Sequence, residues 1–333
     1  MTIEISVVVA TFDRAASVLR LLDDLSAQTV PASSFEVIVV DDGSREPVRP
    51  LLEGRDTPFA LRVLEQENAG PAAARDRGIQ TARGEIIVIV DDDMSVADSF
   101  LAVHLARHRE GHSVVLGYIR PAPNLARMAL FERFHAHQLA QQVASYRGGR
   151  AARGVHVCTG NVSFRRADYL AVGGFDKSLG RSEDRDLGIR LELAGAKFVF
   201  AEEAASTHNS DHADLEVWLK RAFLYGVYDA RIGKKHEATP RVDVAPWRFF
   251  FLVNPVTRPF LLVAVGLPDG AHRIARRSMQ LSSLLDRLGF EALAIRGTTF
   301  VYGMEYFRGV RTENGSLAAS ARALLAQWRR HRA

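Results

Sequence analysis

The 333-residue sequence contains a single cysteine, Cys158, and this scarcity excludes two kinds of structural support. One cysteine cannot form an intramolecular disulfide, and it cannot by itself supply the thiolates of a structural zinc site. We therefore expect a protein of a reducing compartment. The hydrophobic fraction of 47% and the charged fraction of 25% are typical of a globular chain that buries a sizeable core.

A signal-peptide pattern and a glycine-rich nucleotide-binding loop are both missing near the start of the sequence. The N-terminus, Met-Thr-Ile-Glu-Ile-Ser, has no charged-then-apolar leader, so we predict no signal peptide. The turn after the first predicted strand, Ala10–Arg14, has no Gly-x-Gly-x-x-Gly pattern, which argues against an NAD(P)-dependent oxidoreductase. The absence of a glycine-rich loop is also evidence against a nucleotidyltransferase. We nevertheless keep that enzyme class as an alternative.

Long apolar runs are interrupted wherever they occur. Phe249–Val253 and Pro259–Gly266 are separated by Asn254, Pro255 and Arg258. A membrane-spanning helix needs about 20 apolar residues, and an arginine in its middle costs ~3 kcal/mol on insertion scales. We therefore expect no membrane span here, and an interfacial segment or a buried helical pair stay open.

Charge is distributed unevenly along the chain. Residues 215–333 carry 19 Lys and Arg against 9 Asp and Glu, whereas residues 1–214 carry 24 against 30. This asymmetry suggests an acidic site in the first part and a basic surface in the second. The basic surface could meet lipid headgroups or an anionic substrate, or it could be a merely solvated face. Because aromatic residues are sparse there, we expect no nucleic-acid partner.

The first third of the chain alternates short Val- and Ile-rich runs with helical stretches. The runs predict buried strands over Ile3–Ala10, Phe35–Val40, Leu61–Glu65 and Glu85–Val90, with helices over Ala15–Ala27 and Pro71–Ala82. Strand–helix alternation predicts an α/β fold with a mostly parallel sheet flanked by helices. Ligands of such sheets bind beyond the carboxyl ends of the strands.

Further along, the pattern predicts more elements and a change of character. Strands are expected over Val114–Tyr118, Val155–Phe164 and Lys197–Ala201, and helices over Leu125–Ser145, Glu183–Ala194 and Ala271–Gly289. After about residue 215 the strand pattern stops. We therefore expect a first domain over residues 1–214 and a helical C-terminal region over residues 215–333 for acceptor, oligomer or membrane contact.

Acidic residues follow three of the predicted strands, and the first of these strands is followed by Asp13. Asp41 and Asp42 follow the second strand, and Asp91, Asp92 and Asp93 follow the fourth. Three adjacent carboxylates repel one another and are costly at the end of a buried strand unless a cation or solvent compensates. Residues two apart in an extended segment project to the same side, so Asp91 and Asp93 are expected to share a target and Asp92 to point away.

Carboxylate oxygens of this kind suit Mg²⁺ or Mn²⁺, which usually complete their coordination shells with water and substrate phosphates. Such an ion can stabilise a nucleoside diphosphate as it leaves. The three adjacent aspartates, Asp91–Asp93, therefore predict a metal–diphosphate site, and an exposed acidic turn is the alternative interpretation.

Taken in order, these motifs resemble those of the family 2 glycosyltransferases, which have the GT-A fold. The matching motifs are Ser6–Arg14, Val39–Ser44, Asn68–Gly70 with Ala74–Asp76, Asp91–Asp93, Gly160–Arg166, Gly173–Asp176 and Glu183–Leu187. Each motif is weak alone, but the ordered set covers residues 1–210 and is specific. The resemblance implies an inverting, hexosyltransferase-type enzyme that uses a nucleoside-diphosphate sugar and Mn²⁺ or Mg²⁺.

The resemblance also implies which residues contact the donor nucleotide. They are Ala10, Thr11, Phe12, Arg14, Asp41, Asp42, Arg75, Asp91 and Asp92. Phe12 would lie against the base, where the family commonly has Tyr, and Asp42 or its neighbour Asp41 would accept a hydrogen bond from the base. Arg75 would sit near the base or the diphosphate. Asp91 and Asp92 would contact the ribose, the donor sugar or metal-bound water.

Other positions depart from the family pattern or carry other roles. Asp13 and Asp76 stand where members often have Asn. By the resemblance, Asp93 is the principal metal ligand, with His208 completing the metal or diphosphate site. Gly160, Asn161 and Glu183 would contact the donor sugar or the acceptor.

Asp184 occupies the family's catalytic-base position, where it would deprotonate the acceptor hydroxyl during the transfer. Alternatives remain for this residue and for the histidine. Acids are favoured in the first turn of any helix. His212 is an alternative metal ligand to His208, and the two would form an i, i+4 pair if that segment were helical. A plain surface histidine is a further interpretation.

The expected partners are a nucleotide-sugar donor and a glycan, lipid-linked or small-molecule acceptor. Homo-oligomer formation and peripheral membrane contact stay open, and we expect the protein in the cytoplasm or at the cytoplasmic membrane face. A non-catalytic module that binds a nucleotide sugar or a glycan is the alternative from another class. Neither the donor base nor the acceptor follows from the sequence.

Overall fold

A computed structural model of the protein describes residues 3–209, 214–237, 239, 255 and 257–332, with only the backbone of residues 330–332. The chain forms two compact units. The first comprises Met1–Pro123 and Leu139–Ser210, and the second comprises Asn124–Gln138 and Asp211–Ala333. Residues 124–138 therefore group with the C-terminal part of the chain. The division at residues 214 and 215 remains our proposal for the functional domains.

The first unit is built around an eight-stranded sheet. Its strands are β1 (Ile5–Thr11), β2 (Phe35–Asp41), β3 (Ala60–Glu65), β4 (Ile86–Val90), β5 (Met94–Val96), β6 (Val114–Pro121), β7 (Asn161–Arg165) and β8 (Phe198–His208). Its helices are α1 (Ala15–Ser26), α2 (Arg49–Leu52), α3 (Pro71–Thr81), α4 (Phe100–Arg109), the end of α5 (Leu130–Arg147), α6 (Arg166–Ala171) and α7 (Glu183–Leu193).

The sheet has the order β3-β2-β1-β4-β7-β6-β8-β5. The first four strands in this order are parallel, with Val7 paired to Val37 on β2 and to Val88 on β4. Strand β7 runs antiparallel to β4 and to β6, and β6 is parallel to β8. The predicted α/β fold with a mostly parallel sheet flanked by helices is confirmed.

Both faces of this sheet are covered, because alternate residues of each central strand point to opposite sides. Val7 and Val9 of β1 belong to the core that includes Leu21 and Leu22 of α1. Val8 lies in the opposite core with Ala74 and Ile79 of α3. Helix α3 lies so close to the sheet that a Cβ on its Gly78 would be 2.6 Å from Val8 Cγ1. Only glycine fits at this position.

Three predicted boundaries differ from the structure by five residues or more, for identifiable reasons. The predicted strand over Val155–Phe164 is a strand only from Asn161, since a short 3-10 turn occupies Gly154–His156. A Cβ on Gly154 would lie 2.1 Å from the carbonyl oxygen of Gly188, so this turn packs directly on the backbone of α7. The predicted helix from Leu125 begins at Leu130, after a 3-10 turn over Leu125–Arg127.

The third difference concerns β8, which continues to His208 although its apolar run ends at Ala201. Its polar half remains a strand because the backbone pairs with β6 and β5, with Met94 opposite His208. The helical segment that an i, i+4 pair of His208 with His212 would require is therefore not formed at His208, and His212 lies outside the described residues.

The second unit is helical in its described part. Besides the start of α5, it contains α8 (Leu215–Lys235), α9 (Arg258–Gly266), α10 (Pro268–Arg287), α11 (Glu291–Asn314) and α12 (Leu317–Arg332). Helices α8 and α11 cross so closely that a Cβ on Gly226 would lie 1.8 Å from the carbonyl oxygen of Tyr306. Glycine permits this approach of the two backbones. The apolar run Phe249–Val253 lies outside the described residues, and none of the helices described is both long and apolar enough to cross a bilayer.

Candidate functional site

The carboxyl ends of β1 and β4 meet around an arginine. The hydroxyl of Thr11 donates a hydrogen bond to Asp92 Oδ2 (2.7 Å). The guanidinium of Arg14 lies 3.4 Å from Asp92 Oδ1 and contacts Asp93 Oδ2 more closely. Both carboxylates are buried. Arg14 therefore supplies the positive charge that two adjacent buried carboxylates require.

The surroundings push the two carboxylates toward different protonation behaviour. Burial raises the pKa of Asp92 to about 6, and the hydrogen bond from Thr11 and the charge of Arg14 offset only part of this rise. Burial also acts to raise the pKa of Asp93, but the hydrogen bond and charge of His208, together with Arg14, lower it to about 2. Asp93 is consequently ionised throughout the physiological range.

The expected division of the three aspartates is wrong, because the segment is not extended. The amide of Met94 donates a hydrogen bond to the carbonyl of Asp91 (3.2 Å), which closes a turn. As a result Asp92 and Asp93 share Arg14, whereas Asp91 points to a different arginine. Alternation along a strand does not apply within a turn.

Asp91, which is half-buried, belongs to an ion-pair chain that continues through the buried Arg75 and Glu183 from α3 to α7. Arg75 donates to Asp91 Oδ1 (2.7 Å) through one terminal nitrogen and to Glu183 Oε1 (2.9 Å) through the other. Burial opposes the charge of Arg75, but the two carboxylates outweigh it and raise the guanidinium pKa. Among the described residues, the Nε–H of Arg75 has no hydrogen-bond partner. The arginine thus joins two carboxylates that are 92 residues apart in sequence.

Asp184 directly follows Glu183 in the first turn of α7. Its Oδ1 accepts a hydrogen bond from the amide of Arg185 (2.7 Å), and its Oδ2 accepts a longer one from the amide of Thr159 (3.4 Å). Burial and the charge of Glu183 raise the pKa of Asp184 to about 6. A carboxylate with this pKa can take up a proton near neutral pH.

Asp93 and His208 are the residues of this site that suit a divalent metal. His208 Nε2 lies 3.5 Å from Asp93 Oδ2. Two ligands that each lie about 2.1 Å from a metal ion are at most ~4.2 Å apart, so this pair fits a shared ion. Within the described residues no three His, Cys, Asp or Glu side chains form a metal-binding group. If an ion bound here, Asp93 and His208 would supply two ligands, a number typical of sites that water and substrate phosphates complete.

Asp41 and Asp42 organise the loops that follow β2. Asp41 accepts hydrogen bonds from the amides of Ser44 and Val48, both at 2.9 Å. Asp42 accepts from the amides of Ala69 and Gly70, also at 2.9 Å. The Asp42 carboxylate also accepts a hydrogen bond from the Gln66 amide at 2.7 Å. A carboxylate offers about four acceptor positions, so a base contact at Asp42 would use the remaining one.

Phe12 and Ala10 lie on either side of the buried Thr11. The Phe12 ring is 46% exposed, whereas Ala10 is half-buried. Next to Phe12, Asp13 adopts a left-handed backbone conformation (φ 55°). Its carboxylate accepts hydrogen bonds from the backbone amide and the guanidinium of Arg45. Asp and Asn tolerate this conformation better than most residues. The backbone conformation at this position therefore suits either Asp or Asn.

Asp76, the other departure from the family pattern, joins α3 to the loop before α7. It accepts a hydrogen bond from the hydroxyl of Tyr169 (2.7 Å) and pairs with Lys177 (2.7 Å). Tyr169 in turn accepts a hydrogen bond from the amide of Phe175 (3.0 Å). An Asn at position 76 could not form the ion pair that Asp76 forms with Lys177. Through the hydroxyl of Tyr169, Asp76 is also linked to the Gly173–Asp176 motif.

Gly160 and Asn161 occupy different surroundings. A Cβ on Gly160 would lie 3.5 Å from Asp91 Oδ2, so this backbone borders the carboxylates. The side chain of Asn161 is buried, and its amide donates to Ala204 O (2.9 Å) and Ser206 Oγ (3.0 Å). Asn161 therefore ties β7 to β8, and the predicted sugar contact stays a prediction.

The sequence interpretation did not place two residues that lie near the site, Cys158 and His104. Cys158 is exposed but closely surrounded. Protein atoms around the sulfur, which disfavour the thiolate, and the charges of Asp184 and Asp91 raise the pKa of its thiol. His104 is buried and contacts Asn161 Oδ1 (3.1 Å) and Ser163 Oγ (2.8 Å). Cys158 could have been noticed because it directly precedes the Thr159-Gly160-Asn161 segment. No sequence pattern indicates His104.

Comparison with known proteins finds similar glycosyltransferases. A family model described as "Glycosyl transferase family 2" matches residues 6–170. Validoxylamine A glucosyltransferase of Streptomyces hygroscopicus subsp. jinggangensis is 28% identical over 227 residues, covering 60% of this chain and 54% of that protein. Pre-mycofactocin glycosyltransferase of Mycobacterium tuberculosis is 28% identical over 246 residues, covering 70% and 48% respectively. The chain thus spans about half the length of these curated relatives.

Solved structures show the same fold at low sequence identity. A mannosyltransferase from Pyrobaculum calidifontis, solved with GDP-Man and Mn²⁺, superposes with a TM-score of 0.61 at 19% identity, covering 91% of this chain and 86% of that one. Staphylococcus aureus TarS in complex with UDP superposes with a TM-score of 0.51 at 20% identity, covering 93% and 90%. These superpositions show the fold alone, and the family match identifies residues 6–170 as a glycosyl transferase family 2 segment.

Proposed function

We propose that this protein transfers a sugar from a nucleoside-diphosphate sugar to an acceptor hydroxyl with inversion at the anomeric carbon. The observation that carries the proposal is the Arg75 bridge. It brings Asp91, in the predicted diphosphate-binding segment, into one ion-pair chain with Glu183, the neighbour of the predicted base Asp184. We infer that the residues for donor binding and those for proton removal lie next to each other, because Arg75 links Asp91 to Glu183 at the carboxyl ends of the strands.

Asp184 is the proposed general base. Its Oδ1 is held by the short hydrogen bond from Arg185, so Oδ2, with only the longer contact to Thr159, is the oxygen that takes the acceptor proton. A pKa of about 6 leaves the side chain mostly ionised at neutral pH while keeping it basic enough to be useful. Glu183 and Gly160 border this carboxylate region and are the proposed contacts of the sugar.

The donor nucleotide is proposed to bind at the ends of β1, β2 and β4. The exposed ring of Phe12 offers a stacking face for the base, and Arg75 offers charge-assisted hydrogen bonds near the diphosphate. Asp93 and His208 would hold Mn²⁺ or Mg²⁺. A divalent ion bound there would supply positive charge beside the departing diphosphate. The presence of GDP-Man and Mn²⁺ in the Pyrobaculum structure supports this chemistry for the fold.

The donor-site proposal can be tested by thermal unfolding with a panel of nucleoside diphosphates and nucleotide sugars, with and without Mn²⁺. A ligand at 100 times its dissociation constant adds about 2.7 kcal/mol to the free energy of unfolding. We expect one base to stabilise the protein in the presence of Mn²⁺, and Asp93→Ala to remove the metal-dependent part. The same measurement on Asp23→Ala, an exposed aspartate elsewhere in the first unit, is the control.

If none of the nucleotides stabilises the wild-type protein, with or without metal, the donor-site assignment is wrong. Stabilisation by a nucleotide that persists unchanged in Asp93→Ala would keep the nucleotide site and contradict its dependence on metal. The stabilising base would also restrict the donor to sugars carried by that nucleotide.

A further inference from the structure

Exposed apolar side chains are concentrated on one part of the second unit. Of the seventeen large apolar residues that are exposed in the described part of the chain, nine lie between residues 260 and 293. They are Phe260, Leu262, Leu267, Ile274, Leu281, Leu284, Leu288, Phe290 and Leu293. Single exposed leucines need no explanation, but such a concentration within 34 residues marks a candidate contact surface.

Helix α10 carries the centre of this surface. Its Ala271, Ala275 and Met279 are buried in the core of the second unit. A Cβ on Gly297 of α11 would lie 2.2 Å from Ser282 Oγ, so this side of α10 is tightly packed. Leu285 is partly buried and packs against the same core, whereas Ile274, Leu281 and Leu284 are exposed.

A second row of apolar side chains lies on the solvent side of α10. Ile274, Leu281, Leu284 and Leu288 recur at spacings of seven, three and four residues, which places them on one face of a helix. We call these four residues the apolar stripe. The helix therefore has two apolar faces, of which one is buried and the other is exposed.

Arginines border the apolar stripe. Arg273, Arg277 and Arg287 are exposed, and within the described parts of the chain no ion pair involves them. Asp286 and Glu291, two of the three acidic residues between positions 258 and 296, are instead paired with Arg133. The surface around the stripe is consequently both apolar and positively charged.

We propose that this face of α10 lies on the surface of a membrane that contains anionic lipids. The apolar stripe would enter the boundary between headgroups and acyl chains, and the arginines would meet the lipid phosphates. A second copy of the chain fits this face less well. A two-fold interface brings the same patch against itself and would place the unpaired arginines of both copies together. The proposal does not depend on the proposed glycosyl transfer.

Co-sedimentation of the full chain with lipid vesicles tests this proposal. We expect binding to vesicles of phosphatidylcholine mixed with phosphatidylglycerol, weaker binding to phosphatidylcholine alone, and loss of the difference at high salt. A triple variant, Leu281→Gln, Leu284→Gln and Leu288→Gln, should lower the lipid partition coefficient about tenfold or more. The matched control, Leu51→Gln, Leu170→Gln and Leu193→Gln, removes three exposed leucines of the first unit and should bind as the wild type does.

A second variant, Arg273→Gln, Arg277→Gln and Arg287→Gln, separates charge from apolar contact. It should reduce binding to the anionic vesicles to the level seen with phosphatidylcholine alone. Because all three side chains are exposed, this variant also decides the matter if circular dichroism shows that the leucine variant is unfolded. No wild-type binding to the anionic vesicles, or unchanged binding of a folded leucine variant, would overturn the proposal. Light scattering that shows a dimer which the leucine variant converts to a monomer, without vesicle binding, would make this face an interface between copies.

Discussion

Replacing Asp184 with asparagine is expected to lower kcat by roughly three orders of magnitude, because a positioned general base contributes about 10²–10⁴-fold to such a reaction. Asparagine has nearly the same shape and can still accept the hydrogen bond from the Arg185 amide, so the first turn of α7 should persist. The dissociation constant of the nucleoside diphosphate should therefore change little. Steady-state kinetics and calorimetry on the same preparation separate the two effects.

The control for this substitution is Asp168→Asn, which removes a carboxylate from the first turn of another helix in the same unit. It should leave kcat unchanged. If Asp184→Asn retained most of the wild-type kcat, Asp184 would not be the base. Equal loss of nucleotide affinity and kcat would instead indicate that the substitution disturbs the donor site.

The pH dependence of the wild type gives an independent test of the same residue. Burial and the charge of Glu183 raise the pKa of Asp184 to about 6. A general base works in its deprotonated form, so kcat/KM should rise with pH up to about 6 and level off above it. Asp184→Asn should lose this rise, whereas Asp168→Asn should retain it.

Replacing Arg75 with methionine is expected to lower the free energy of unfolding by about 3–5 kcal/mol, the cost of leaving one partner of a buried ion pair unpaired. Glu183 is buried, and Asp91 is half-buried beside it. Without the guanidinium these two carboxylates would repel each other with no compensating charge. Urea unfolding followed by circular dichroism measures the change.

Arg45→Met is the control for Arg75→Met, since Arg45 also pairs with an aspartate but is exposed to solvent. Exposed pairs contribute about 0–1 kcal/mol, so this variant should unfold almost as the wild type does. Adding Glu183→Gln to Arg75→Met should restore part of the lost stability, because the unpaired buried charge is then removed. Equal stability of the Arg75 and Arg45 variants would contradict the buried bridge.

The sequence predicted the elements that have strong local signals. The helix after Gly70 was predicted because Pro71 suits the first helical position, and α3 indeed begins there. The buried strands β1, β2 and β4 were visible as short apolar runs, and their parallel order followed from the intervening helices. That the acidic residues meet at the carboxyl ends of these strands was also predictable, because parallel strands end at a common edge.

Contacts between distant residues were not predictable in this way. Nothing in the local sequence indicates that Arg75 pairs with Glu183, 108 residues later, or that Asp76 contacts Tyr169. The turn at Asp91 was missed because an alternating pattern presupposes an extended backbone. The second half of β8 was missed because cross-strand pairing, and not apolar sequence, keeps it extended as far as His208.

The most direct test of the proposed transfer is to identify the products formed from a nucleotide sugar. The protein would be incubated with Mn²⁺, with the nucleotide sugar that stabilises it, and with a panel of simple glycosides as acceptors, followed by proton and phosphorus NMR. The proposal predicts free nucleoside diphosphate in step with a new glycoside whose anomeric configuration is opposite to that of the donor. A glycoside with retained configuration would contradict the inverting mechanism, and nucleoside monophosphate with sugar phosphate would contradict glycosyl transfer itself.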